Sequence, residues 1–291
     1  MPSLGAQLPI VVEPPTLRNI LTVDVEDYFC AQNVTKAIGQ QAWDSCELRV
    51  ERNVQIILDL LDRHKVEATF FMLGWIAERV PSLVAAIESR GHEIAVHGYA
   101  HRTITTMTPR EFEDDLKKAI DIIGKQACGA IRGFRAPSFS VTAQTLWALP
   151  ILARNGLQYD SSIFPLGLHP EYGIPTAPVT IHRREGIIEV PISCVDLPGF
   201  RAPASGGGYF RLLPYSVSRA LMRLCNRRGY PAVFYFHPWE IDPGQPRYPL
   251  AGLRRMRHYA NLGRTLGRLQ RLLSDFSFTS IRKALQEWRA N

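Results

Sequence analysis

An alternation constrains this chain more than any other feature. Short apolar runs suited to buried strands alternate with longer stretches of helical spacing from residue 19 to residue 236. Asn19 to Asp24 is a buried-strand run. Residues 49–64 place Val50, Val54, Ile57, Leu58 and Leu61 at helical intervals. A strand is expected over 68–73, then a helix over 75–90 that Pro81 divides, then a strand over 91–96. Thr108-Pro109-Arg110-Glu111 supplies an N-cap, a first-turn proline and a capping-box acid, and predicts a helix to Gly124. A strand over 130–134, a helix over 142–155 stopped by Gly156, and a short strand over 157–160 follow. Strands over 187–192 and 232–236 flank a helix over 214–228. Residues 164–185 and 197–208 read as loops. Repeated strand–helix units build a parallel sheet, and about seven strands bring that sheet close to a barrel.

Ionisable residues stand where these strands end. Asp24 and Glu26 close the first run, His97 the third, Asp160 the fifth and His237 the last; Arg135 follows the fourth. In βα barrels the site forms at the C-terminal ends of the strands. Asp24-Val25-Glu26 has the two-residue period of a strand, so both carboxylates face one side. One can hold a metal while the other acts as a base. His97 and His101 are four apart and converge on one point if the chain turns after His97. Two His and one carboxylate suffice to hold zinc with a position left open. Asp27 is a rival carboxylate for that role.

The remaining composition excludes several classes. No apolar run approaches the ~20 residues of a membrane helix. The first 18 residues lack a basic start with a sustained apolar core and read as a flexible leader, not a signal peptide. Cys30, Cys46, Cys128, Cys194 and Cys225 are odd in number, with no Cys-x-x-Cys pair, so reduced thiols of a cytoplasmic protein are expected. The net charge is +7. It resides from Arg247 onward, so it is no argument for nucleic-acid binding. Leu262, Leu266, Leu269, Leu272 and Leu273 with intervening Arg form an amphipathic basic helix, open to contact with an anionic membrane surface. Ser205-Gly206-Gly207-Gly208 lacks the ending of a phosphate loop and reads as a tight turn near a site. His92, His169, His182 and His258 carry no motif and read as surface or hydrogen-bonded histidines.

Five stretches, in order, resemble the motifs of the NodB-type polysaccharide deacetylases. They are residues 22–27, His97-Gly98-Tyr99-Ala100-His101, Arg135-Ala136-Pro137, Tyr159-Asp160-Ser161-Ser162 and Phe236-His237-Pro238. Residues 206–211 and 236–240 resemble the exosortase-associated branch of that family. The resemblance implies a distorted (β/α) barrel over 19–246, with 247–291 as a basic helical extension packed on it. It implies a hydrolase that removes N-acetyl groups from amino sugars of an exopolysaccharide or its lipid-linked precursor. Glu26, His97 and His101 would ligate a divalent metal, zinc by preference. Asp24 would be the general base and His237 the acid that protonates the leaving amine. Asp160 would orient His237, and Arg135 would pair with Asp24. The backbone after Pro137, at Ser138, would hold the oxyanion. Apart from the resemblance, Tyr209 and Trp239 are aromatics able either to stack on sugar rings or to pack in the core or rim. Two departures stand out. Val25 separates acids that are usually adjacent, and Ser138-Phe139 replaces an aromatic-glycine pair. They keep open a metal-independent amidohydrolase of a cyclic amide, and a third reading is a catalytically dead carbohydrate-binding barrel. The inner face of the membrane is an alternative to a free cytoplasmic location, and oligomeric state is not legible.

Overall fold

The computed structural model describes residues 17–167 and 172–290. The expected leader (apart from Leu17 and Arg18) and His169 lie outside them. The elements in chain order are β1 (Asn19–Val25), α1 (Gln32–Ile38), α2 (Val50–His64), β2 (Thr69–Met72), α3 (Gly74–Arg79), α4 (Ser82–Ser89) and β3 (Glu93–Val96). Then come α5 (Pro109–Gly124), β4 (Gly133–Phe134), α6 (Ala148–Arg154), β5 (Tyr159–Asp160), β6 (His182–Arg184), β7 (Ile187–Glu189), β8 (Cys194–Leu197) and β9 (Phe200–Pro203). The chain ends with α7 (Gly207–Leu212), α8 (Tyr215–Arg227), β10 (Val233–Phe236), α9 (Gly252–Tyr259), α10 (Leu262–Asp275), β11 (Phe278–Thr279) and α11 (Ile281–Ala290).

The main sheet runs β10-β1-β2-β3-β4-β5-β7-β6, with β11 also on β1. Seven strands, β10 through β7 in that order, are parallel; β6 returns antiparallel on β7. The sheet curls, but among the described strands β6 does not pair with β10, giving a distorted, open barrel. Every residue of β1 is buried, as a central parallel strand with both faces covered requires. Because the strands are parallel, their C-terminal ends share one edge. Asp24, His97, Arg135 and His237 all lie there.

Local chemistry explains most boundaries. Thr108 Oγ1 accepts the Glu111 amide at 3.3 Å and the Glu111 carboxylate accepts the Thr108 amide at 2.8 Å, so α5 starts as its capping box dictates. Pro81 separates α3 from α4. The helix expected over 142–155 is only Ala148–Arg154. The Thr145 hydroxyl accepts the Thr142 amide and donates to the Ser140 carbonyl, a local alternative to helical pairing. The loop expected over 197–208 holds the last residue of β8, all of β9 and the start of α7. The glycine run is a close approach: a Cβ on Gly206 would lie 1.7 Å from the Tyr235 carbonyl oxygen of β10.

Candidate active site

Arg135, completely buried at the end of β4, organises the floor. Its Nη1 donates to Asp24 Oδ1 at 2.7 Å and to Thr22 Oγ1 at 2.8 Å. Nε and Nη2 donate to the Ser161 carbonyl at 3.0 Å and the Ser161 hydroxyl at 2.8 Å. The guanidinium also lies 4.1 Å over the Phe71 ring. A buried charge is tolerated when its donors are satisfied in this way. Asp24 is thereby held with Oδ2 3.8 Å from His237 Nε2.

Glu26, not Asp27, meets the histidines. Its Oε1 is 3.0 Å from His97 Nε2 and 2.9 Å from His101 Nε2. Burial pushes the Glu26 carboxyl up. The charges of His101 and His237 and the hydrogen bonds from both neighbouring histidines outweigh that and hold it well below its ordinary value. Asp27 faces away and accepts the amides of Tyr28, Arg49 and Val50 at 2.9, 2.7 and 2.9 Å, anchoring the start of α2. Burial pushes its carboxyl up to about 6.

The donor set fits a divalent cation. His97 Nδ1 lies 2.8 Å from the Arg135 carbonyl oxygen, which can only accept, so Nδ1 carries the proton. In the neutral ring Nε2 then presents a lone pair to a carboxylate oxygen, an arrangement that a cation between them satisfies. An outer carbonyl fixing the ligand tautomer is the usual support for such a histidine. His101 adopts φ 52°, a left-handed conformation uncommon for a residue other than glycine, with its ring 5.4 Å from that of His97. Ser138 and Phe139 are left-handed as well, at φ 54° and 52°, where the departure from the aromatic-glycine pattern falls.

Above this floor is an open cleft of about 170 Å³, lined by Asp24, Glu26, His97, His101, Ser138 and His237 among others. Pro137 is buried and packs against the turn between the two histidines, where a Cβ on Gly98 would lie 3.5 Å from its Cγ. Three expectations are corrected here. Asp160 does not reach His237. It accepts from the Ser162 hydroxyl, which in turn accepts the Ala136 amide at 2.7 Å, so it braces the loop that carries Ser138. Burial pushes Asp160 up to about 6 beside Glu189, which burial and the Asp160 charge push up further. Trp239 is 6% exposed, its ring stacked between His237 at 5.2 Å and His258 at 4.6 Å, so its faces are not free for a sugar. Tyr209 packs edge-on to Phe164 at 6.4 Å rather than on the cleft wall. His258, read as a surface or hydrogen-bonded histidine, is hydrogen-bonded: it is buried, its Nε2 lies 3.0 Å from Gln245 Oε1, and it lines the cleft.

Glu240 and Arg211 were missed as site residues. Glu240 Oε1 is 2.6 Å from His237 Nδ1, and Arg211 Nε donates to Glu240 Oε2 at 2.6 Å. Two signals stood in the sequence: Arg211 and Glu240 close the stretches 206–211 and 236–240 that resemble the exosortase-associated branch, and His237 and Glu240 have the three-residue spacing of a capping box. His237 is pushed up to about 9: burial pulls it down, and the negative charges of Glu26, Glu240 and Asp24 reverse the effect.

Comparison with known proteins gives a consistent result. Residues 36–159 match the family model described as polysaccharide deacetylase. That stretch of the chain is similar to the polysaccharide deacetylases. Residues 161–286 match a second model, a domain of unknown function (DUF3473). The deacetylase match holds His97, His101 and Arg135, whereas His237, Glu240 and Arg211 lie in the second. A peptidoglycan-N-acetylglucosamine deacetylase of Bacillus cereus is 36% identical over 93 residues, covering 32% of this chain and 34% of that protein. A chitooligosaccharide deacetylase of a Bradyrhizobium species is 32% identical over 98 residues, covering 33% and 42%. The chain thus spans only about a third to two-fifths of these relatives. The crystal structure of a proposed polysaccharide deacetylase from Mycobacterium smegmatis shares the fold, with TM-score 0.58 and 17% identity over 99% of this chain and 96% of that one.

Proposed function

We propose that this deacetylase domain hydrolyses N-acetyl groups of amino sugars with a divalent cation, zinc by preference, held by Glu26, His97 and His101. The convergence of three donor atoms on one point beside Asp24 carries the reading. When bound, the ion would acidify water and polarise the acetamide carbonyl. Asp24 Oδ2 takes a proton from the attacking water while Arg135 holds Oδ1. The Ser138 amide stabilises the oxyanion from the cleft wall. His237 Nε2 gives its proton to the departing nitrogen as the C–N bond breaks, which a neutral amine requires. The proton on Asp24 then restores His237 across the 3.8 Å between them. The donor cluster favours this scheme over metal-free attack on a cyclic amide.

The substrate class in our reading is an exopolysaccharide or its lipid-linked precursor. No described helix is long and apolar enough to cross a membrane. On α9, however, Leu253 is 72% and Met256 49% exposed, next to Arg254 and Arg255. The same helix sends Arg257 and His258 to the cleft. This rim suits an anionic lipid surface that presents a lipid-linked glycan.

The test is acetate release from short N-acetylglucosamine oligomers before and after chelation. Loss on chelation and recovery with zinc is expected. Release that survives chelation would point to metal-free chemistry and remove Glu26, His97 and His101 from their role.

A further inference from the structure

Resting on that reading, we propose that Glu240 is the positioning residue for the general acid. Arg211 and the 257–260 backbone hold it, so the C-terminal segment completes the catalytic site. The imidazole of His237 is fixed on two sides. Its Nδ1 lies 2.6 Å from Glu240 Oε1, a carboxylate oxygen that accepts, so Nδ1 carries a proton and Nε2 is the atom turned to the cleft. The same oxygen accepts the His237 amide at 3.1 Å, which ties the side chain to its own backbone. One face of the ring is covered by Trp239.

Glu240 is fixed in turn. Its second oxygen accepts Arg211 Nε at 2.6 Å, and both side chains are almost completely buried, at 1% and 2% exposure. Arg211 spends its other donors on the C-terminal segment: Nη1 on the carbonyls of His258 and Ala260, both at 3.0 Å, and Nη2 on that of Arg257 at 2.6 Å. Arg268 of α10 holds the Arg211 carbonyl at 2.9 Å, and Asn261 holds it at 2.7 Å. A chain of charge-assisted bonds therefore runs from residues 257–268 through Arg211 and Glu240 to His237. Asp160, at the end of β5, has no part in it.

A buried ion pair can also be merely structural, and the leaving group separates the two roles. An amine must be protonated to depart, whereas 4-nitrophenolate departs without a proton. In the full chain loaded with zinc, Glu240→Gln should lower kcat for N-acetylglucosamine oligomers by about 10²-fold or more, the size of a general-acid contribution. Its effect on 4-nitrophenyl acetate hydrolysis should be far smaller, and Glu240→Asp should recover part of the amide loss. Equal losses on both substrates, or no loss on either, would overturn the proposal.

A second measurement needs no variant. The nitrogen NMR signature of His237 in the unmutated chain should show a protonated Nδ1 bonded to a carboxylate; a ring protonated at Nε2 alone sinks the idea. Should the unmutated chain release no acetate from amino sugars, the proposed function fails, and this spectrum still decides the role of Glu240.

Discussion

Asp24, Glu26 and Asp27 stand within four residues yet meet three different sets of partners. The two-residue period of a strand was enough to put Asp24 and Glu26 on one side. Asp27 was a rival for the metal until the fold gave it the amides of Arg49 and Val50, which sequence spacing does not reveal. His92 makes a similar point about burial. It is 3% exposed and its Nδ1 accepts the Ala68 amide at 3.2 Å, so the folded protein keeps it neutral. Burial pulls it down to about 4 from an ordinary 6.5. Between those values the unfolded chain binds a proton that the native chain refuses, so its contribution is lost as pH falls through that window. Lowering the pH from 7 to 5 should therefore cost the native chain about 2 kcal/mol that a His92→Gln variant does not lose. Urea unfolding of both proteins at the two pH values checks this; parallel losses would show that His92 titrates normally.

Elements with strong local chemistry were legible and elements held by partners were not. The helix at Thr108 carries its own cap and forms as its sequence dictates. The short β4 and β5 depend on neighbours, and they extend over only two residues each. In the C-terminal segment the leucine stripe of α10 is not an outward face. Leu262, Leu269, Leu272 and Leu273 are buried, and α10 packs near residues 238–241 and on α2. The outward apolar residues belong to α9 instead. Replacing both Leu253 and Met256 by Asp should reduce binding to anionic phosphatidylglycerol vesicles at least tenfold, since burying such a side chain contributes about 1.5–3 kcal/mol. Vesicle flotation measures this. Unchanged binding by the double variant, or none by the parent chain, would remove α9 as a membrane contact.

The C-terminal segment is woven into the molecule. β11 pairs with β1. The Ile281 amide donates to Thr69 Oγ1 and the Arg282 amide to Glu93 Oε2, both at 2.8 Å. Removing residues 247–291 would unseat the buried leucines of α10 and uncover one end of β1. Each lost leucine is worth about 1.5–3 kcal/mol, against a total stability of about 5–15 kcal/mol. A chain ending at residue 246 should fail to unfold cooperatively in a thermal scan followed by circular dichroism. A sharp transition near that of the full chain would mean that residues 19–246 stand alone.

By itself the sequence determined the order of the seven parallel strands and the residues at their ends, because periodicity and capping act over a few residues. It also carried five motifs that resemble those of the NodB-type polysaccharide deacetylases. The tertiary structure decided which groups meet. Glu240 rather than Asp160 stands behind His237, and Trp239 is a ring between two histidines rather than a sugar platform. Contacts such as Arg211 with the 257–260 carbonyls join residues far apart in the chain. Their energy depends on burial and on distances of a few ångströms, and neither exists until the sheet has curled.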